Sequence, residues 1–106
     1  MNWNDEEKCL EAMKQDGFAL QFVKKQNNKI CLEAVKKNGC ALFYVEHQTE
    51  KICLVAVKQD GRALLYVENQ IEEMCLEAVN QNGFAFKYID KEKFPDIYTY
   101  YKLLFS

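Results

Sequence analysis

Apolar residues along this chain fall in paired short clusters that recur every 22 residues. The clearest copy, CLEAVKKNGCALFYVEHQ, runs from Cys31 to Gln48. Its counterparts begin at Cys9, Cys53 and Cys75, with no insertion or deletion between them. In the first cluster the apolar positions are Cys31, Leu32, Ala34 and Val35. At about 100° per residue they cover roughly 160° of a helical surface, and Glu33, Lys36 and Lys37 lie opposite. Ile30, Ile52 and Met74 widen the stripe, whereas Lys8 does not. The pattern predicts an amphipathic helix of about ten residues in every copy.

Asp5, Asn27 and Thr49 stand four residues before the repeated Cys. Each offers a side-chain oxygen to an orphan backbone N–H, so each is an expected N-cap. The fourth copy has Ile71 there, which predicts a shifted or poorly capped start, with Asn69 as a substitute cap. The first helices are expected to stop at Asp16-Gly17, Asn38-Gly39, Asp60-Gly61 and Asn82-Gly83, with Gly in the left-handed conformation. A strand hairpin is the rival reading of Asn-Gly, but neither flank alternates with period two. The second cluster, Ala41, Leu42, Tyr44 and Val45, repeats the offsets of the first. It predicts a second helix of about eight residues, ending near Lys25, His47 and Asn69.

Each copy therefore reads as an αα-hairpin. A lone hairpin cannot bury both of its stripes, and stacking neighbours completes the burial. The expected fold is a single all-α domain. It is an αα-hairpin solenoid of four 22-residue helix-turn-helix repeats, at about 5–26, 27–48, 49–70 and 71–92. The tail, KEKFPDIYTYYKLLFS, leaves the pattern. Pro95 suits the first turn of a helix, and Phe94, Ile97, Tyr98, Tyr101, Leu104 and Phe105 recur at helical spacing. They predict a C-terminal capping helix over 95–105 that covers the apolar end of unit four. A sharper reading has this aromatic surface docking a partner or a second copy, as a homodimer.

Composition changes this picture little. With 49% hydrophobic and 28% charged residues, the chain suits one soluble domain. The net charge of −2 leaves no surplus of Lys and Arg to neutralise phosphates, so no nucleic-acid partner is expected. No apolar run approaches the roughly 18 residues of a membrane span, so no membrane association is expected. The opening MNWNDEEK is acidic and lacks the apolar core of a secretory signal.

The five cysteines bear on chemistry. Cys9, Cys31, Cys53 and Cys75 share one repeat position. Stacked helices lie about 8–10 Å apart, while a disulfide needs Cα atoms within about 7 Å. Zinc needs ligands that converge, and a ladder does not converge. Small buried thiols, no metal, no cofactor and a reducing, cytoplasmic setting are expected. Cys40 stands apart, at a variable position shared with Phe18, Arg62 and Phe84. A reactive thiolate would need a positive, partly exposed site, which Lys36, Lys37 and His47 would have to supply. His47 itself reads as a solvated helix-end residue. Glu11 with Lys14 and Glu33 with Lys36 are ordinary surface pairs. Each Gly stands alone, so there is no phosphate loop. No catalytic residue set is expected.

The best candidates for function are the aromatics Phe22, Tyr44, Tyr66 and Tyr88, at the edge of the second apolar face. Stacking would set these rings in a row. They either pack the core with phenol tips reaching water or a carbonyl, or line a groove beside Glu46, Glu68 and Asp90. Such a row suits an extended peptide or another protein. Tyr98 and Tyr101 of the tail join them as the candidate partner-binding set.

The phrases AVKKNGCALFYV, AVKQDGRALLYV and AVNQNGFAFKYI resemble the repeat of domain-of-unknown-function family 4116 over about residues 8–90. Units of that family read as apolar-Ala-Val-Lys, two polar residues, Gly, Ala-Leu and Tyr. They are seen in proteins of giant amoeba-infecting viruses and of some intracellular bacteria. The Cys-Leu-Glu-Ala-Val opening and the Asn- and Lys-rich composition lean towards the viral kind. The resemblance implies helical repeats and an intracellular setting, the host cytoplasm for a viral protein, and brings no catalytic residues. The expected function is a non-enzymatic protein-interaction or scaffold module. The alternatives are a self-associating structural protein and, less favoured, a thiol-dependent enzyme.

Overall fold

Every unit folds as an α-helix followed, one residue later, by a 3-10 helix. The computed structural model describes residues 1–106. Its α-helices are α1 (Glu6–Gln15), α2 (Asn28–Lys37), α3 (Glu50–Gln59) and α4 (Glu72–Gln81). The 3-10 helices that follow them are η1 (Gly17–Phe22), η2 (Gly39–Tyr44), η3 (Gly61–Tyr66) and η4 (Gly83–Tyr88), and α5 (Pro95–Phe105) closes the chain. The α-helices lie side by side along an array 48 × 21 × 16 Å in extent. Each of α2, α3 and α4 packs on its own 3-10 helix and on that of the unit before it. The solenoid is thus as the repeat predicts, and the capping helix as the tail predicts.

The second element is shorter than expected. It has six residues, not about eight, and stops at Phe22, Tyr44, Tyr66 and Tyr88 rather than near Lys25, His47 and Asn69. The Val45 amide donates to the Leu42 carbonyl at 3.0 Å, an i to i+3 bond, and Val23, Val67 and Ile89 do the same. In a 3-10 helix side chains three apart eclipse. Leu42 and Val45 then share one buried row, while Tyr44 stays half-buried above Ala41.

The corner between the helices is one extended residue. Asp16, Asn38, Asp60 and Asn82 have φ between −155° and −137°. Each amide still closes the preceding α-helix, as Asp60 does onto the Ala56 carbonyl at 2.9 Å. Asp16, Asp60 and Asn82 then cap the 3-10 helix, accepting from the amides of Phe18, Arg62 and Phe84. Asn38 accepts instead from the Gly17 amide of the previous unit, at 2.8 Å.

The glycines after this corner are not left-handed, contrary to the sequence expectation: no residue has a positive φ. They are required by contact. A Cβ on Gly17, Gly39 or Gly61 would strike the carbonyl oxygen of Ala34, Ala56 or Ala78 on the next unit's α-helix. Apart from these three glycines, every buried residue is apolar. Bare glycine against fully buried alanine thus sets the distance between layers.

The caps follow the sequence. Asp5, Asn27 and Thr49 accept from the amides of Lys8, Ile30 and Ile52 at 3.2, 2.9 and 3.2 Å. Ile71 makes no cap bond, yet α4 begins in register at Glu72. Its start is uncapped but not shifted. Asn69 is no substitute, because its side-chain oxygen is taken by Lys93 at 3.0 Å. Glu72 and Glu73 stand in the first turn, where negative charge favours the helix dipole.

Helix α5 covers η4, with Phe86 against Tyr98 and Phe84 against Phe105, both at 6.0 Å between ring centroids. Phe94, Ile97, Tyr98 and Tyr101 pack against the core as expected. Leu104 does not. It is exposed together with Tyr100 and Leu103, because no further helix lies over that side of α5. No helix is long and apolar enough to cross a membrane.

Candidate functional site

The row of 3-10 helices is held rigid by a device that recurs between units. The Gln48 side-chain amide donates to the Tyr66 carbonyl at 2.7 Å. Its oxygen accepts from the Glu68 amide at 3.0 Å and from the Cys53 thiol at 3.4 Å. Gln26 makes the same three bonds to Tyr44, Glu46 and Cys31. Gln70 makes them to Tyr88, Asp90 and Cys75. One side chain thereby satisfies the open C-terminal end of the next 3-10 helix. At the first unit Cys9 donates to the Trp3 carbonyl at 3.2 Å instead.

These thiols do more than fill space. Burial, and then the carboxylates of Glu46, Glu68 and Asp90 in turn, push Cys31, Cys53 and Cys75 up to about 11. They are protonated donors, poor nucleophiles and poor metal ligands in this state. Gln26, Gln48 and Gln70 stand in phase at 22-residue intervals, each five residues before a Cys. That phase is the signal the sequence carries for the clamps.

On the outer side, the 3-10 helices frame an apolar groove of about 550 Å³. Tyr44, Tyr66 and Tyr88 line it together, as their shared repeat position predicts. Phe18, Cys40, Phe43, Arg62 and Leu65 complete the lining. Phe43 is 64% and Leu65 55% exposed, at one variable repeat position that sequence reasoning passed over. Phe43 sits between two tyrosines, 5.0 Å from the Tyr44 ring and 5.3 Å from the Tyr66 ring, edge-on to both.

The other predicted residues lie elsewhere. Phe22 stacks on Trp3 at 5.5 Å and is outside the groove lining. Tyr98 packs on Phe86. Tyr101 borders a separate cleft of about 600 Å³ with Glu72, Glu73, Leu76, Glu77 and Asn80. Glu46, Glu68 and Asp90 do not line the groove as expected. Their amides are drawn to the glutamine clamps, and their charge is felt by the ladder thiols.

Cys40 lies in the groove but not in a thiolate's setting. Its sulfur donates to Asp60 Oδ2 at 3.6 Å, and burial and that carboxylate push the thiol up. The neighbouring cation is Arg62, not Lys36, Lys37 or His47. Its Nη2 is 2.6 Å from Asp60 Oδ2, and this pairing holds Asp60 below the usual carboxylate range. The groove thus offers aromatic and aliphatic surface, phenol hydroxyls and one guanidinium.

A family model described as domain of unknown function DUF4116 matches residues 5–48 and 49–92, so each match spans two of the 22-residue units. No curated protein and no solved structure matches the chain.

Proposed function

The chain belongs to the DUF4116 family, and from that premise we propose a non-enzymatic protein-interaction module that receives a protein or extended peptide along its tyrosine groove. The observation that supports this best is the pairing of Tyr44, Tyr66 and Tyr88 with the exposed Phe43 and Leu65 on one clamped row. A rigid apolar surface loses little entropy on binding, and exposed aromatic patches of this kind mark interaction sites. The setting we infer is reducing and intracellular, a host cytoplasm if the protein is viral. Five free thiols, four of them buried donors, are consistent with it.

The test is a pulldown from the native cell with two folded variants. One is Tyr44→Ala/Tyr66→Ala/Tyr88→Ala. The other, Phe43→Ser/Leu65→Ser, changes only exposed side chains and so leaves the core intact. Removing groove anchors typically costs about 2 kcal/mol or more each, so partner capture is expected to fall by about tenfold or more. If both variants keep every partner of the wild-type protein, the groove is not the interaction surface.

A further inference from the structure

We propose that the groove takes a polyproline-II segment with proline or another apolar residue at every third position and an acidic residue over Arg62. This rests on the interaction reading above and specifies its partner.

The first support is period. Tyr44, Tyr66 and Tyr88 recur once per layer, and the array spans 48 Å for four repeat layers and α5, or about 10 Å per layer. The ring steps of 5.0 and 5.3 Å from Tyr44 through Phe43 to Tyr66 bound the separation of the two tyrosines from above and leave room for this spacing. A polyproline-II chain rises about 3.1 Å per residue with three residues per turn, or about 9.3 Å per turn. One edge of it meets successive tyrosines nearly in register. A β-strand presents one face every ~6.8 Å and falls out of phase by the second tyrosine. An α-helix with anchors seven residues apart repeats every ~10.5 Å and fits on period alone.

Hydrogen bonding separates these last two. The bonds that Tyr44, Tyr66 and Tyr88 make within the chain run through their backbones, with their carbonyls held by Gln26, Gln48 and Gln70. Their phenol hydroxyls make no hydrogen bond within the chain and are left as donors on residues that line the groove. An α-helix has already used its carbonyls internally. A polyproline-II chain has no internal hydrogen bonds, so its carbonyls are free to accept.

Charge supplies the polarity. Arg62 is 65% exposed and binds Asp60 through Nε and Nη2, leaving Nη1 open. Phe18 and Phe43 line the groove in units one and two, and Arg62, its one lining cation, stands in unit three, with only Tyr88 beyond it. An acidic group belongs beside Arg62, where a guanidinium offers a charge-assisted bond.

The experiment is fluorescence anisotropy on the full chain with labelled twelve-residue peptides. Two carry proline at every third position and an aspartate pair, at the N-terminus in one and the C-terminus in the other. A third is a helix-forming control with the same charges and leucine at heptad spacing. One proline peptide is expected to saturate at micromolar concentration. Tyr44→Phe/Tyr66→Phe/Tyr88→Phe, which keeps the rings and removes the hydroxyls, is expected to weaken it about tenfold. Arg62→Ala is expected to weaken the acidic peptide and not a version without aspartate. No binding of either proline peptide, or equal binding by the hydroxyl-free variant, overturns the proposal. If the helical control alone binds and Phe43→Ser/Leu65→Ser abolishes it, the interaction reading survives and the polyproline assignment falls. If no peptide binds and captured partners ignore the groove variants, both fall.

Discussion

Gly39→Ala is expected to destabilise the protein by about 3 kcal/mol or more. The added Cβ would meet the Ala56 carbonyl oxygen, with Asp60 Cβ at 2.9 Å and Asp60 N at 3.0 Å. That oxygen already accepts the bond that closes α3, at 2.9 Å. Backbone on both sides leaves nothing able to step aside, so the layers themselves must part. Conformational strain contributes nothing, because no glycine has a positive φ. On backbone preference alone Ala would stabilise by about 0.4–1 kcal/mol. Gly83→Ala is the matched control. There the atoms nearest the new methyl all belong to the ring of Phe105 on the terminal helix, which can swing, so a loss of under about 1 kcal/mol is expected. Thermal melts of the two variants check this, with a difference on the order of 10 °C. Equal losses at both positions would mean that the glycines serve backbone conformation rather than contact.

Replacing Gln48 by Met is expected to cost about 2–4 kcal/mol. Methionine keeps the length and shape of the side chain but deletes its amide. The Tyr66 carbonyl, the Glu68 amide and the Cys53 thiol lose their shared partner at once. Gln48→Glu should fall between wild type and Met. A carboxylate still accepts from the amide and the thiol but cannot donate to the carbonyl. Gln59→Ala, on an exposed position of α3, should stay within about 0.5 kcal/mol. Urea unfolding of the series measures the order. A Gln48→Met variant no weaker than Gln59→Ala would show that the clamps are incidental.

Much of this architecture was legible from residue pattern. The 22-residue phase announced the solenoid, Asp5, Asn27 and Thr49 announced the helix starts, and Pro95 with its aromatics announced α5. What escaped depends on distances between units, which a one-dimensional pattern does not contain. The role of Gly39 follows from how close Ala56 of the next unit comes. The Asn-Gly pair looks the same whether glycine relieves strain or admits a neighbour. Ala41, Leu42, Tyr44 and Val45 fit an α-helix and a 3-10 helix equally by apolar offset. The choice falls to the turn that Glu46 must make to reach Gln26.

Part of the candidate groove was legible too. Tyr44, Tyr66 and Tyr88 share a position, and equal positions in a stacked array become neighbours. Phe43 and Leu65 were hidden because their position also holds Gln21 and Lys87. A variable position carries no periodic signal, even where two of its residues give the surface its apolar character. Leu104 was misplaced for a related reason. Helical spacing puts it at the edge of the α5 stripe, and only the absence of a covering helix decides that it faces outward.

Circular dichroism melts of two deletions probe most directly whether each repeat is completed by its neighbour. Removing residues 49–70 takes out one full period, and Gln48 then precedes unit four, where Tyr88, Asp90 and Cys75 can receive it as they now receive Gln70. This shortened chain should keep a helical spectrum and one cooperative transition at a lower temperature. Removing residues 49–59 takes out half a period, sets a 3-10 helix where an α-helix must pack, and should abolish the transition. If the two deletions melt alike, or if a lone 27–48 peptide is already fully helical, the units do not depend on one another and the stacked array is the wrong description.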